Sequence, residues 1–148
     1  YVEFPERVNY VGRLDKDSTG LLLLTNDGDL ANEIQRSRNN HEKEYHVRVN
    51  TDITEDFIKK MSEGVEILDT VTKPCKVKKT GTRNFSIILT QGLNRQIRRM
   101  CDALHVRVVH LKRVRIMNIR LGSLRPSEFR TLTRDEEQEL RRLVQKRS

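Results

Sequence analysis

The chain has 148 residues, enough for one domain with a buried core, and is 35% hydrophobic and 34% charged. Its 29 Lys and Arg against 21 Asp and Glu leave a net charge of +8, which favours a polyanionic partner through counterion release and steering. Recurrent strand-like apolar runs argue against disorder, and no apolar stretch approaches the ~20 residues of a membrane span. The two cysteines, Cys75 and Cys101, stand in no paired spacing, so a disulfide scaffold is excluded and a reducing, cytoplasmic setting is expected.

Leu21 to Thr25 is a short continuous apolar run between Gly20 and Asn26-Asp27-Gly28, which predicts one buried strand closed by a turn. Asp29 is expected to cap a short helix in which Leu30 and Ile34 share a face. Tyr45, Val47 and Val49 then alternate with His46 and Arg48, the pattern of a half-buried strand. Thr54 opens a helix carrying Phe57, Ile58 and Met61, and Gly64 is placed to end it. Pro74 restricts any strand between Val71 and Lys79 to an edge or a bulge. Asn84 to Thr90 reads as a further strand, and Ile97, Met100, Cys101 and Leu104 recur at helical spacing. Val106 to Leu121 alternates loosely, as one or two strands. Thr133 and Glu136 form a capping box for a last helix bearing Leu140 and Leu143. Strands outnumber helices without βαβ alternation, so the expected class is α+β.

Two segments imitate metal sites. His41-Glu42-Lys43-Glu44-Tyr45-His46 resembles H-E-x-x-H, but its histidines are five apart and the segment reads as a strand, so zinc is not expected. Asp15-Lys16-Asp17-Ser18-Thr19-Gly20 begins like a calcium loop, yet Asn26 stands where a bidentate Glu is needed and four leucines fill the middle.

Three segments offer chemistry. Asp15, in Gly12-Arg13-Leu14-Asp15, precedes a rigid strand. It is either a turn cap or a reactive carboxylate held on a loop positioned by that strand. In Gln91-Gly92-Leu93-Asn94-Arg95-Gln96-Ile97-Arg98-Arg99-Met100 the three arginines share a helix face. Arg95 falls in the first turn, where the dipole disfavours a cation by ~0.3–1 kcal/mol. A solvated face is the ordinary alternative; the local penalties instead suggest that these arginines meet a carboxylate, a phosphate or both. Tyr45 is either a core tyrosine or a stacking platform for an extruded base.

Taken together, these segments resemble the RNA pseudouridine synthases of the RsuA type. The motifs are Gly12-Arg13-Leu14-Asp15-Lys16-Asp17-Ser18-Thr19-Gly20-Leu21-Leu22-Leu23-Leu24-Thr25-Asn26-Asp27-Gly28, then Lys43-Glu44-Tyr45, then Gly92-Leu93-Asn94-Arg95-Gln96-Ile97-Arg98-Arg99-Met100. Order and spacing match from about Val11 to Leu143, and the set of three is far more specific than any one. Asn40-His41-Glu42-Lys43-Glu44-Tyr45 and Thr72-Lys73-Pro74-Cys75-Lys76-Val77-Lys78-Lys79 most resemble the RluF-like branch.

The resemblance implies a mixed, mainly antiparallel central sheet flanked by helices, with an RNA-binding cleft. It implies no metal or organic cofactor. Asp15 matches the catalytic aspartate acting at the ribose, Tyr45 the tyrosine against the extruded base, and Arg98 the basic partner of the aspartate. Arg13 matches the arginine that fills the space of the flipped nucleotide, and Leu111 a leucine lining the uracil pocket. Arg95, Arg99, Lys43 and Arg113 are expected RNA contacts. The family's usual amino-terminal S4-type RNA-binding domain, and a Lys-Pro strand before the first motif, have no counterpart in these 148 residues. Residues 1–148 are therefore expected to be the catalytic domain of a monomeric enzyme. Its expected substrate is a uridine in large-subunit (23S) ribosomal RNA, with a transfer RNA uridine second. The rival reading is a non-catalytic RNA-binding or ribosome-assembly module, which would gain nothing from a carboxylate aimed at its polyanion.

Overall fold

The computed structural model describes residues 9–11, 14–36, 41–126 and 128–145. Along them run β1 (Asn9–Val11), β2 (Thr19–Gly20), β3 (Leu23–Thr25), α1 (Gly28–Arg36), β4 (Lys43–Val49), α2 (Glu55–Glu63), β5 (Glu66–Ile67) and β6 (Thr70–Val71). They continue with β7 (Lys76–Gly81), β8 (Asn84–Leu89), α3 (Gln96–Ala103), β9 (Val108–Ile116), β10 (Ile119–Arg120) and α4 (Arg134–Gln145). The central sheet is ordered β10-β9-β4-β8-β7, all antiparallel, with β2 added parallel to β9. The α+β class holds, with a mixed sheet and helices at its flank.

Side-chain alternation decides what covers this sheet. Val47, Val49, Phe85, Ile87, Leu89 and Leu111 point to one face, where α2 delivers Phe57 and Met61 and α3 delivers Ile97, Met100 and Cys101. Phe57 meets Phe85 edge-on, ring centroids 5.5 Å apart. The helix limits follow local chemistry: Thr54 Oγ1 accepts from the Phe57 amide at 3.0 Å, and Gly64, at φ 126°, donates to Lys60 O at 3.2 Å. A second cluster joins Leu21, Leu23, Ala31, Ile34, Ile116, Ile119, Leu140 and Val144. Its α4 starts at the expected capping box: Thr133 Oγ1 accepts from Glu136 N at 3.1 Å, and Glu136 Oε1 from Thr133 N at 2.8 Å. Burial pushes the Cys75 thiol up to about 11 and the Cys101 thiol up to about 12, so both stay protonated. No helix among the described residues is long and apolar enough to cross a membrane.

Two expectations are corrected. Leu21 to Thr25 is not one strand: the chain leaves β9 after Gly20 and pairs again only from Leu23, with β1. Leu21 and Leu23 therefore both drop into the second cluster, and the apolar run serves two partners instead of one. Asp27, not Asp29, caps α1, its Oδ1 accepting from Leu30 N at 3.1 Å. Thr25 Oγ1 fixes that turn by accepting from Asp27 N at 3.0 Å.

A bulge organises β9. Tyr45 opposes Arg113 while Glu44 opposes Arg115, so Val114 is the extra residue. Arg113 and Arg115, two apart, consequently face opposite sides of the sheet. Arg115 reaches Glu44 at 3.0 Å and Glu42 at 3.1 Å, and donates to Met117 O at 2.6 Å.

Gly20 marks the closest approach of backbones. Its φ is +114°, and a Cβ there would lie 2.2 Å from Arg113 O, while Leu21 N donates to the same oxygen at 2.8 Å. Gly20→Ala should therefore destabilise the domain by roughly 2 kcal/mol or more. Urea denaturation monitored by circular dichroism reads this; a loss within about 0.5 kcal/mol of zero would show that β2 is not held against β9.

Candidate active site

Asp15 lies in a turn closed by Ser18 N donating to Asp15 O at 3.0 Å, five residues before the Gly20 contact. The loop is thus held by β2 on its carboxyl-terminal side and by arginines of α3 from the front. Arg95 donates to both oxygens of Asp17, at 2.9 and 2.8 Å, and stands 4.0 Å from Asp15 Oδ2. Arg98, 14% exposed, donates from Nη2 to Asp17 O at 2.7 Å, with its Nε 3.4 Å from Asp17 Oδ1. Arg99 grips the preceding turn, donating to Asn94 O and Oδ1 at 2.9 Å each. Arg98 thus meets Asp17 rather than Asp15, and among the described residues it is Arg95 that forms an ion pair with the Asp15 carboxylate.

Arg95 occupies the left-handed region, φ 48°, ahead of α3, a conformation unfavourable for a non-glycine residue. Two charge-assisted bonds to Asp17 accompany it there. The Arg95 hydrogen bonds, foremost among the causes, hold the Asp17 carboxyl down at about 2.

Tyr45 opens the inward side of β4, half-buried, opposite Ile87 and Arg113. Lys43, two residues earlier and half-buried, opposes Leu89 and Ile116. Leu111 is buried opposite Val47. Arg113, expected as an RNA contact, is 3% exposed and turned inward. Its Nε and Nη2 donate to Leu21 O at 3.0 and 2.7 Å, and its guanidinium interacts electrostatically with the Tyr45 side chain across the strand pair. Burial lowers its pKa, opposed by Tyr45 and by the Asp15 charge. The inward turn was visible in the sequence, because Arg113 is two residues from Leu111 on the same strand. Arg13 lies outside the described residues. A cavity of about 390 Å³, lined by residues such as Ile53, Phe57, Leu104 and Val106, contains none of these groups.

The family model described as RNA pseudouridylate synthase matches residues 2–103. The chain belongs to this family. It is 54% identical over 148 residues to the dual-specificity RNA pseudouridine synthase RluF of Escherichia coli K12, covering 100% of the chain and 51% of that protein. It is 34% identical over 150 residues to the ribosomal large subunit pseudouridine synthase B of Bacillus subtilis, covering 97% and 62%. A crystal structure of a pseudouridylate synthase superposes with a TM-score of 0.84 at 34% identity, covering 90% of this chain and 59% of that one. The chain thus spans about half the length of its RluF relatives.

In this member of the family the Asp17–Arg95 clamp has a definite pH window. A depressed carboxyl contributes stabilisation that is present above the ordinary value of 3.8 and lost as pH falls through about 2. An NMR titration of the Asp17 carboxyl carbon should give a midpoint near 2, and Arg95→Met should return it toward 3.8. A parent midpoint already at the ordinary value would mean that the clamp does not form in solution.

Proposed function

We propose that this protein isomerises uridine to pseudouridine in structured RNA, with Asp15 as the group acting at the ribose as nucleophile or base. The observation that carries the reading is the fixing of the Asp15 loop from two sides, by Gly20 against Arg113 and by Arg95 and Arg98 on Asp17. A turn cap alone needs no such double anchoring beside a half-buried tyrosine.

The chemistry breaks the N1–C1′ bond, turns the free base and joins C5 to C1′; the C5 proton leaves and N1 gains one. It requires a carboxylate at the sugar, a site that retains the base, and no electron transfer. Arg95, 4.0 Å away, orients the Asp15 carboxylate, Tyr45 packs against the extruded base, and Leu111 closes the apolar side. Arg98 holds the loop through Asp17 and reaches the Asp15 carboxylate when RNA displaces that contact. Arg113 acts through Tyr45 and the Leu21 carbonyl, as a positioning residue. Lys43 and Arg99 contact phosphates, and Arg13 takes the space of the flipped nucleotide. The substrate is 23S ribosomal RNA, with a transfer RNA anticodon stem-loop second, a pairing consistent with the words "dual-specificity" in the name of the Escherichia coli relative. The protein works as a cytoplasmic monomer, with these residues forming the catalytic domain.

Mapping pseudouridines in RNA from cells with and without the gene identifies the substrate. Asp15→Asn should lower the single-turnover rate by at least about a thousandfold while RNA affinity and melting temperature hold. Retained turnover, or a loss explained by unfolding, would remove Asp15 from the chemistry and favour a binding module. Tyr45→Phe should lose more rate than affinity, because the ring stays and the hydroxyl goes. Arg113→Met should behave like Tyr45→Phe in rate, with Arg113→Lys recovering part of it. If the Met variant lowers only the melting temperature, Arg113 is structural.

A further inference from the structure

Helices α2 and α3 cover one face of the sheet. The register places a different set of side chains on the other face. One row runs Lys112, His46, Ser86, Lys78 across β9, β4, β8 and β7, and the next runs His110, Arg48, Asn84. Lys76, opposite Ile88, extends the set along β7. His46, Arg48, Lys76, Lys78 and His110 are exposed, and Lys112 is half-buried. Strand spacing makes this surface about 14 Å wide, with rows roughly 7 Å apart.

Its charge is uncompensated. Elsewhere cations meet carboxylates: Arg83 with Asp52, Arg130 with Glu136, Arg141 with Glu137. Among the described residues, no carboxylate pairs with Arg48, Lys76, Lys78 or Lys112. Glu44, on the same face, is already held by Arg115 at 3.0 Å. Moreover, His46 sits directly opposite Lys112 and Arg48 opposite His110, so neither cation has a carboxylate as its cross-strand partner, the choice that would stabilise it. Lysines on the edge strand β7 alone would be explained as guards against strand addition. Arg48 and Lys112 lie on inner strands, where such guards have no purpose.

We propose that this outer sheet face is a second RNA-contact surface, which holds the phosphate backbone of a substrate segment distant from the reacting uridine. The inference rests on RNA being the substrate. A flat, cationic face bearing no Phe, Tyr or Trp suits phosphates, which need charge alone, better than a protein partner, which needs aromatic or apolar anchors. Such contacts position the RNA without reading its bases. Because Tyr45 and the Asp15 loop belong to the opposite side, an RNA touching both must pass round an edge of the sheet. A short hairpin at the reacting site gains nothing from the outer face; a long structured RNA does.

The double variant Arg48→Glu, Lys78→Glu tests this with fluorescence anisotropy at several salt concentrations, using a 23S ribosomal RNA transcript and a short hairpin. For the transcript, affinity should fall at least about tenfold, and the slope of log affinity against log salt should become shallower by about 1.5 units, for two lost phosphates. Hairpin affinity, single-turnover rate and melting temperature should stay at parent values. An unchanged transcript slope overturns the proposal. An equal loss on the hairpin also overturns it, since the face would then serve the reacting site itself. Polyglutamate that displaces the transcript from the parent, but not from the variant, would reassign the face to acidic protein partners. The binding readout does not require turnover, so a parent that binds the transcript in this way yet isomerises nothing would sink the enzymatic reading alone.

Discussion

Everything about the candidate site depends on two strands lying closer than side chains permit. At Gly20 the backbone of β2 presses on the backbone of β9, and the Arg113 carbonyl accepts the Leu21 amide at 2.8 Å. Arg113 then returns the contact, donating two hydrogen bonds from its buried guanidinium to the Leu21 carbonyl. A single residue of β9 therefore binds both polar groups of Leu21, one through its main chain and one through its side chain. Burying a guanidinium is costly unless its donors are satisfied, so the Leu21 carbonyl and Tyr45 hold Arg113 as firmly as it holds them. This small polar knot fixes where the Asp15 loop begins and how far Tyr45 stands from it.

The arginines of α3 show the same economy. Sequence reasoning gave them an anion to face; Arg95 and Arg98 find it internally in Asp17, whereas Arg99 meets only the neutral oxygens of Asn94. Their partners are half-exposed, so each bond is screened and modest in strength. A clamp of that kind leaves the guanidinium groups open to exchange for another anion of similar geometry, such as a phosphate.

What the sequence made legible follows from the range of the interactions. Helix limits set by a neighbouring hydroxyl or glycine, as at Thr54, Gly64 and Thr133, are local and were readable. So was the inward side of β4, because Val47 and Val49 alternate with charge. The split of Leu21 to Thr25 was hidden, since only the distant Arg113 and the β1 pairing decide it. Asp27 and Asp29 are the same residue two places apart, and the hydroxyl of Thr25 selects between them. The partner of Arg98 was equally beyond local pattern, because Asp15 and Asp17 sit on one turn and choosing between them requires coordinates.

The bulge at Val114 gives β9 two buried arginines that serve opposite sides of one sheet, Arg113 toward Tyr45 and Arg115 toward Glu42 and Glu44. Ordinary pleating would send both the same way. Straightening the strand with Val114 retained would turn one of them to the wrong side, leaving either the site without its guanidinium or the acidic pair without its counterion. The constraint on this strand is therefore the facing of its two arginines rather than its length. Gaps between diverged relatives should accumulate in the turns on either side of β9, and within Leu111 to Arg115 only the loss of Val114 is compatible with both arginines keeping their sides, which makes that position a marker for aligning distant members of the family.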